Sequence, residues 1–308
     1  MMERIVKQPS AILTSDWHLR EDTPICRTDN YWDVMWKKVD FISDLQKKYN
    51  CPVLHGGDLF DKSRPSLNLV RETMLHIPNQ FYTIYGQHDL VNHSLSLTDK
   101  CGIKVMETAK KLQVLDDMHY FNDHLYVSGI HWGQEPKEDP QTDVIFRKEH
   151  QIKKVLVWHK MVWQKTKPYP TCVDPPASTI LKQYKECHLI LTGDNHKTFV
   201  EEYEGRLLVN PGSMMRMDAD QADHKPCVFL WYAEDNSVQQ VFLPIEEGVV
   251  SREHLVVKQE RDSRIDAFIS KLNDKYEVSL SFENNLEQFF KTNDIDKEVK
   301  QIIYTNLE

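Results

Sequence analysis

The feature that most constrains the fold is an alternation of short apolar runs and longer amphipathic stretches up to about residue 215. The apolar runs predict strands at 11–14, 52–55, 81–85, 125–130, 155–158, 188–192 and 206–209. Helices are predicted at 32–48, where apolar side chains recur at helical spacing, and at 66–76. Strands that alternate with helices are typical of an α/β layered fold, which is the fold class we expect.

Potential metal ligands follow several of these strands directly. The segments are Asp16-Trp17-His18, Gly57-Asp58-Leu59-Phe60-Asp61, Gly86-Gln87-His88-Asp89, His159 and Gly193-Asp194-Asn195-His196. In α/β folds, sites form in the loops at the carboxyl ends of the strands. We therefore expect these five segments to converge on one site.

The residue types point to a pair of divalent cations. Two ions roughly 3.5–4 Å apart can clamp a phosphate, activate a water molecule and stabilise the leaving oxygen. Asp16 and His18 are two residues apart, so in an extended segment both side chains face the same way and can reach one ion. Asp58 follows Gly56-Gly57, where the backbone can turn tightly, and is the expected bridging carboxylate.

Composition limits the other possibilities. The chain has 308 residues, 28% of them charged, and a formal net charge of -9, which is unusual for a protein that grips DNA electrostatically. Metal sites are built from carboxylates, however, and local patches matter more than the total. The six cysteines are widely spaced without a CxxC pair, which favours reduced thiols and a cytoplasmic protein. We expect no secretory signal, no membrane span and no membrane partner.

The pattern changes after Met217. Residues 227–232 and 238–243 predict a hairpin around Glu234-Asp235-Asn236. Two further amphipathic helices are expected, with apolar faces formed by Ile265, Phe268, Ile269 and Leu272 and by Ile295, Val299, Ile302 and Ile303. We interpret residues 1–220 as the catalytic domain and 221–308 as a smaller capping and partner-binding region.

The segments resemble those of the calcineurin-like metallophosphoesterases. Thr14-Ser15-Asp16-Trp17-His18-Leu19, Gly56-Gly57-Asp58-Leu59-Phe60-Asp61 with Pro65-Ser66, and Asn210-Pro211-Gly212-Ser213 are similar to SbcD, a bacterial nuclease subunit that acts with a coiled-coil ATPase in double-strand-break repair. The resemblance covers about residues 10–215, and the short chain is most similar to compact phage versions, which would act in the host cytoplasm. It implies a layered fold, a β-sandwich flanked by helices, with an α+β capping region.

The resemblance also implies roles for individual residues. It assigns one ion to Asp16, His18, Asp58 and His196, and the second ion to Asp58, Gln87, His159 and Asp194. His88 would contact the scissile phosphate and assist the leaving group, and Asp89 would orient His88 by accepting its other ring N–H. The implied partners are DNA, an SbcC-type ATPase and a second copy of the nuclease subunit.

Two positions depart from the family pattern. Gln87 stands where the family usually has Asn, and keeps the amide oxygen on a longer stem. Asp194 stands where the family usually has His, and adds a negative charge. A carboxylate in place of an imidazole favours a hard cation, so Mn²⁺ is the expected ion and Mg²⁺ the alternative, rather than Zn²⁺.

Some residues near the motifs have a structural interpretation beside the functional one. His55, His119, His124, His150 and His188 are interpreted as structural, whereas His93 and His131 are left open. Asp61 is expected to hydrogen-bond to its loop, with a hydrogen bond to a ligand as the alternative. Trp17 and Trp132 are expected to line the core or a pocket wall, with base stacking as the alternative. The apolar faces of the C-terminal helices are expected to pack on the chain's own core, with partner docking as the alternative.

The sequence is thus interpreted as a metal-dependent phosphodiesterase that cleaves DNA, as exonuclease, endonuclease or both, in repair, recombination or replication. Two alternatives stay open. The first is another enzyme of the same superfamily, such as a phosphatase or a nucleotide phosphodiesterase. The second is a DNA- or partner-binding scaffold in which the changes at residues 87 and 194 impair catalysis.

Overall fold

The computed structural model describes residues 7–116, 118–122, 125–136, 152–253, 255–256, 259, 263–267, 269 and 282–305. The chain divides into two compact units, Met1–Ser251 and Arg252–Glu308. The described part of the first unit contains two six-stranded sheets, and the predicted ligands lie in or directly after their strands.

The first sheet is mixed. Its strands are β1 (Ala11–Thr14), β2 (Val53–His55), β3 (Phe81–Thr83), β4 (Gln113–Val114), β11 (Cys227–Tyr232) and β12 (Ser237–Phe242), in the order β12-β11-β1-β2-β3-β4. The four strands from β1 to β4 are parallel neighbours, with Leu13 opposite Leu54. β11 runs antiparallel to β1 and to β12.

The second sheet contains the remaining strands. They are β5 (Met118–Asn122), β6 (Leu125–Ile130), β7 (Lys153–His159), β8 (Leu189–Gly193), β9 (Phe199–Tyr203) and β10 (Arg206–Asn210), in the order β5-β6-β7-β8-β10-β9. β6, β7, β8 and β10 are parallel, and the two edge strands are antiparallel to their neighbours.

Four helices are found among the described residues of the first unit. They are α1 (Tyr31–Tyr49), α2 (Leu67–His76), α3 (Gly102–Thr108) and α4 (Ala177–Gln183), and short 3₁₀ segments occur at Val91–His93, Leu95–Lys100 and Ala219–Gln221. The Asn30 side chain caps α1 by accepting from the Asp33 N–H, and Ser66 caps α2 in the same way. Asn50 ends α1 in a left-handed conformation.

Three clusters of buried side chains define the layers. One lies between the sheets, where Leu13 and Trp231 of the first sheet pack with Val157 and Leu191 of the second. Another joins the outer face of the first sheet to α1, α2 and α3. The third joins the outer face of the second sheet to α4. The predicted α/β layered fold, two sheets flanked by helices, is therefore confirmed.

Most of the predicted elements are present with small changes at their ends. Three strands were not predicted from the sequence because they are short or polar: β4, β5 and β9. In β9 the consecutive residues Glu201 and Glu202 interrupt the apolar alternation, and the strand lies at a sheet edge where such residues reach water. α3 and α4 were also not predicted, because each has only seven residues.

The predicted boundary near residue 220 does not coincide with the division into compact units. β11 pairs with β1 through Ile12 and Leu230, and β12 extends the same sheet, so the hairpin belongs to the first unit. The separation falls at Ser251 instead. The capping and partner-binding role given to the C-terminal part stays a prediction.

The second unit contains helices α5 (Phe282–Thr292) and α6 (Lys297–Thr305). Phe290 is buried in this unit and packs its ring against Tyr304. The apolar faces of the C-terminal helices were expected to pack on the chain's own core. This expectation is wrong for four side chains that are 45–62% exposed: Ile265, Ile269, Val299 and Ile302. Phe268 and Leu272 lie outside the described residues. Among the helices described, none is long and apolar enough to cross a membrane.

Candidate metal centre

The predicted ligands lie where five parallel strands end. Asp16 and His18 follow β1, Asp58 follows β2, and His159 is the last residue of β7. Gln87 and His88 follow β3, and Asp194 and His196 follow β8. Because the two sheets pack face to face, the ends of strands in different sheets meet at one edge.

The backbone is unusual at four of the predicted ligands. Asp16, His18, Asp58 and Asp194 all have positive φ angles, of 50°, 45°, 57° and 79°. Such left-handed conformations are uncommon for residues other than glycine, although Asp, Asn and His adopt them most readily. Their concentration at one place is typical of a functional site that the surrounding structure holds under strain.

A first ligand group consists of Asp16, His18 and His196, whose ligand atoms lie within 4.8 Å of one another. The Nε2 atoms of His18 and His196 are 3.1 Å apart. Asp58 Oδ2 lies 3.8 Å from His18 Nε2. These are the four residues that the family resemblance assigns to one ion.

A second ligand group consists of Asp16, Asp58 and His159, again within 4.8 Å. His159 Nε2 lies 3.5 Å from Asp58 Oδ2 and 3.0 Å from the amide oxygen of Gln87. Asp58 also forms a group with His18 and His88. The Asp58 carboxylate therefore lies between the histidines of the two groups, where a bridging ligand has to be.

The two residues that depart from the family pattern contact each other. Gln87 Nε2 donates to Asp194 Oδ1 over 2.7 Å, while its Oε1 faces His159. The backbone N–H of Asp194 donates to Asp16 Oδ1. Asp194 is in none of the ligand groups found among the described residues, so its role as a metal ligand stays a prediction.

The pairing predicted between Asp89 and His88 is wrong. The buried Asp89 carboxylate instead accepts from the backbone N–H groups of Leu59, Phe60 and Gly86, and so ties the loop after β2 to the loop after β3. His88 Nδ1 lies 3.0 Å from the backbone oxygen of Asp61. Since a carbonyl oxygen only accepts, His88 carries a proton on Nδ1 in this contact.

Three glycines pack directly against the ligands. A Cβ on Gly57 would lie 2.5 Å from His159 Nδ1, one on Gly86 would lie 2.1 Å from Asp58 Oδ1, and one on Gly193 would lie 2.9 Å from His159 Nδ1. No side chain other than hydrogen fits these positions without moving a ligand. The sequence analysis named Gly86 and Gly193 within the motif segments but gave neither a role, although each immediately precedes a ligand candidate.

Comparison with known proteins decides the family. Residues 11–234, which include all the predicted ligands, match the family described as the calcineurin-like phosphoesterase superfamily domain. The chain belongs to this superfamily. It is therefore assigned as a hydrolase of phosphoester bonds.

The solved structures that the chain resembles are similar only at a distance. An archaeal phosphodiesterase is 13% identical with a TM-score of 0.41, and the alignment covers 76% of this chain and 99% of that one. A Staphylococcus aureus protein, provisionally assigned as a 5′-nucleotidase, is 14% identical with a TM-score of 0.49 over 82% of this chain and 58% of that one. Phosphopantetheinyl hydrolase from Mycobacterium tuberculosis is 12% identical with a TM-score of 0.45, over 77% and 97%. No curated protein sequence matches the chain.

Members of the superfamily typically bind divalent metals, and the side chains here fit such ions. Asp16 Oδ2 and Asp58 Oδ2 are buried without a hydrogen-bond partner. A buried carboxylate oxygen without a partner is costly, and a cation would relieve that cost. The donor set of carboxylate oxygen and imidazole nitrogen suits divalent ions, although it does not identify which one.

Electrostatics in the cluster agree with this fit. Burial lowers the pKa of His18 to about 3, so its imidazole is neutral and able to ligate at neutral pH. Burial raises the pKa of Asp16 to about 6. Burial opposes the negative charge on Asp58, but the neighbouring His159 outweighs it and holds the pKa of Asp58 below its usual range. Asp58 in turn raises the pKa of His159. Without a cation the two residues form an ion pair, and ligation would displace the His159 proton.

Other candidates lie around this cluster rather than in it. Trp17 is completely buried and donates to Thr14 Oγ1, so base stacking by Trp17 is excluded. Asp61 Oδ1 lies 4.0 Å from His18 Nδ1 and accepts from Arg20. His131 joins Asp116 to the Tyr85 backbone, a structural role.

The remaining histidines have mainly structural contacts. His55 hydrogen-bonds to the Thr83 hydroxyl, and His188 accepts a hydrogen bond from the Lys154 N–H. His119 hydrogen-bonds to the Gln113 side chain. His93 Nδ1 lies 3.2 Å from the Gln87 backbone oxygen and its ring packs on Trp132, so it supports the loop after β3. His124 and His150 lie outside the described residues.

Proposed function

We propose that the chain is a two-metal-dependent phosphodiesterase that cleaves DNA, as an exonuclease, an endonuclease or both. The observation that carries this proposal is the meeting of two ligand groups, with Asp58 between them, at the shared edge of the two sheets. We further propose Mn²⁺ as the working ion, an SbcC-type ATPase as partner and association of two copies of the chain.

Each residue has a defined task in this proposal. One ion is held by Asp16, His18, Asp58 and His196, and the other by Asp58, Gln87, His159 and Asp194. Bound together, two such ions would activate a water molecule and stabilise the charge on the transferring phosphoryl group. Asp89 fixes the loops that carry Asp58 and Gln87, since it accepts from backbone groups of both loops.

His88 is the residue proposed to contact the scissile phosphate. Its side chain is exposed, whereas Asp16, His18, Asp58 and His159 are buried. Its backbone N–H donates to Asp58 Oδ1, which fixes it beside the bridging carboxylate. With Nδ1 held by the Asp61 carbonyl, Nε2 is left to interact with the substrate and the leaving oxygen.

Two arguments favour DNA over a small ester. The Gly56–Asp61 and Asn210–Ser213 motifs are similar to those of SbcD nucleases. The rim of the cluster is accessible, because His88 is exposed and Gln87, Asp194 and His196 are only half-buried. An accessible rim leaves room for a polymeric substrate to reach the cluster.

The test is incubation of end-labelled duplex, hairpin and single-stranded DNA with Mn²⁺, alongside small phosphomonoesters and phosphodiesters. Asp58→Asn is the matched control, because Asn tolerates the left-handed backbone at this position while the bridging charge is lost. We expect the wild-type chain to cut DNA and Asp58→Asn to be inactive with an unchanged circular dichroism spectrum.

The outcomes separate the alternatives. Hydrolysis of small esters without DNA cleavage would assign the chain to another activity of the superfamily. Calorimetric titration that detects no Mn²⁺ binding would support a scaffold role instead. Sedimentation of the chain alone and with an SbcC-type ATPase tests the two proposed associations directly.

A further inference from the structure

An irregular segment behind the candidate metal centre touches the backbone of two predicted ligands. Residues 211–217 follow β10, and within them the Ser213 N–H donates to the His196 carbonyl while the Met214 N–H donates to the Asp16 carbonyl. Gly212 packs so closely that a Cβ there would lie 2.6 Å from the His196 oxygen. We call residues 211–217 the backing segment. It joins a ligand after β1 in one sheet to a ligand after β8 in the other.

The backing segment has no regular secondary structure, yet each of its backbone carbonyls accepts a hydrogen bond from a side chain. Three of the donors are basic: His224 donates to Ser213, Lys38 to Met214 and Arg27 to Arg216. The other four carbonyls accept from Thr198, Ser15, Ser213 and Cys26. Since α1, the loop before it and the loop before β11 all contribute donors, the segment is held from several directions.

Lys38 is the most unexpected of these donors. It lies on α1 with 1% of its surface exposed, and its ammonium group donates to the Met214 carbonyl over 2.9 Å. No carboxylate in the described part of the chain forms an ion pair with it. Its charged neighbours are Arg27 and Arg216, which repel it, and Asp29, which attracts it more weakly. A buried cation without an ion-pair partner is a poor source of stability, which indicates another reason for its presence.

We propose that Lys38, supported by Arg27 and His224, is a positioning residue for the metal centre. His224 fixes the Ser213 carbonyl, which shares a peptide group with the Met214 N–H that donates to Asp16. Lys38 fixes the carbonyl on the other side of Met214, so the two donors together hold the backbone that contacts Asp16 and His196. The two ligands are thereby held at the spacing that one cation requires. This inference rests on the proposed metal centre, and residues that orient ligands from behind typically change metal affinity by roughly 10–100-fold.

The test compares Lys38→Met with the wild-type chain in two measurements. Calorimetric titration with Mn²⁺ gives the metal affinity, and thermal unfolding in EDTA gives the stability of the metal-free fold. We expect Lys38→Met to bind Mn²⁺ roughly 10–100-fold more weakly, with an unfolding temperature in EDTA at or above that of the wild type.

Ile42→Val provides the matched control, because Ile42 is buried on the same helix and its aliphatic side chain cannot hydrogen-bond to the backing segment. It should lower the unfolding temperature in EDTA by about 2–4 °C and leave Mn²⁺ affinity unchanged. His224→Leu and His224→Gln form a second pair at a less buried position. The Leu variant should lose Mn²⁺ affinity, while the Gln variant, which keeps an N–H donor, should retain it.

Each result supports or overturns the inference. Equal Mn²⁺ affinity in the wild type, Lys38→Met and His224→Leu overturns it and leaves the metal centre intact. A lower unfolding temperature in EDTA with unchanged affinity assigns Lys38 a purely structural role and also overturns it. If Lys38→Met does not fold, the His224 pair decides. A wild-type chain that binds no Mn²⁺ refutes the metal centre itself.

Discussion

Gly86→Ala is a sharp test of the geometry around Asp58. A Cβ on Gly86 would lie 2.1 Å from Asp58 Oδ1 and 2.5 Å from the Asp58 backbone nitrogen. Gly86 is not among the residues with positive φ, so alanine is compatible with its backbone conformation. The substitution therefore acts by steric overlap with the proposed bridging carboxylate.

The size of the effect follows from these distances. Ordinary contact begins at about 3.4 Å, so the carboxylate or the backbone of Gly86 has to move by more than about 1 Å. Metal sites tolerate displacements of about 0.2 Å. A misplacement of about 1 Å can lower a catalytic rate about 100-fold. By the same geometric argument we expect Mn²⁺ affinity to fall by about 100-fold, or about 3 kcal/mol.

The assay is calorimetric titration with Mn²⁺, accompanied by thermal unfolding in EDTA to establish that the variant is folded. Gly133→Ala is the control, since an added Cβ at Gly133 has nothing within 4 Å. It also has a positive φ of 79°, so it carries the backbone strain of a Gly→Ala change without any overlap with a ligand. Two ions bound to Gly86→Ala with wild-type affinity would refute the reasoning.

Three further predictions concern the same region. Asp194→His should shift the pH optimum of Mn²⁺-dependent hydrolysis to lower pH, because it removes a negative charge beside the ions; pH–rate profiles in which the variant's optimum is equal or higher would contradict this. His88→Ala should lower kcat by roughly 100-fold or more while calorimetry still detects two bound ions; loss of an ion would make His88 a ligand. Burial lowers the pKa of Lys38 from 10.5 to about 7. Between these two pKa values the unfolded chain binds more protons than the folded chain, so the folded wild type becomes more stable as the pH rises. Relative to Lys38→Met, its free energy of unfolding in EDTA should increase by roughly 2 kcal/mol from pH 7 to pH 9. A difference in unfolding free energy that does not change with pH would refute the burial of a charged lysine.

The convergence of ligands was predictable because it depends on a periodic signal. Apolar runs identified β1, β2, β3, β7 and β8, and in parallel strands the carboxyl ends meet at one edge. The chemistry of Asp16, His18, Asp58, His159 and His196 then indicated metal ligation. Strand order and the pairing of β11 with β1 were beyond that signal, since they join residues more than 200 positions apart.

The details that sequence analysis missed depend on side-chain direction. Asp89 directly follows His88, but in the folded loop its carboxylate turns toward the backbone of Leu59 and Phe60. Trp17 lies between two ligands in sequence and nevertheless points into the core, where its ring packs on Phe81. Local spacing does not determine such directions when the backbone leaves the extended conformation, as it does at Asp16 and His18.

The position of β11 next to β1 has a practical consequence for dividing the chain. A fragment that stops at residue 220 would lack β11, and the backbone groups of Ala11, Ile12 and Leu13 that pair with it would face solvent. Those residues are completely buried, so the fragment would present a bare apolar edge and would be prone to aggregate. Truncations intended to isolate the catalytic layers should therefore retain the chain through at least Leu243, which packs in the same core.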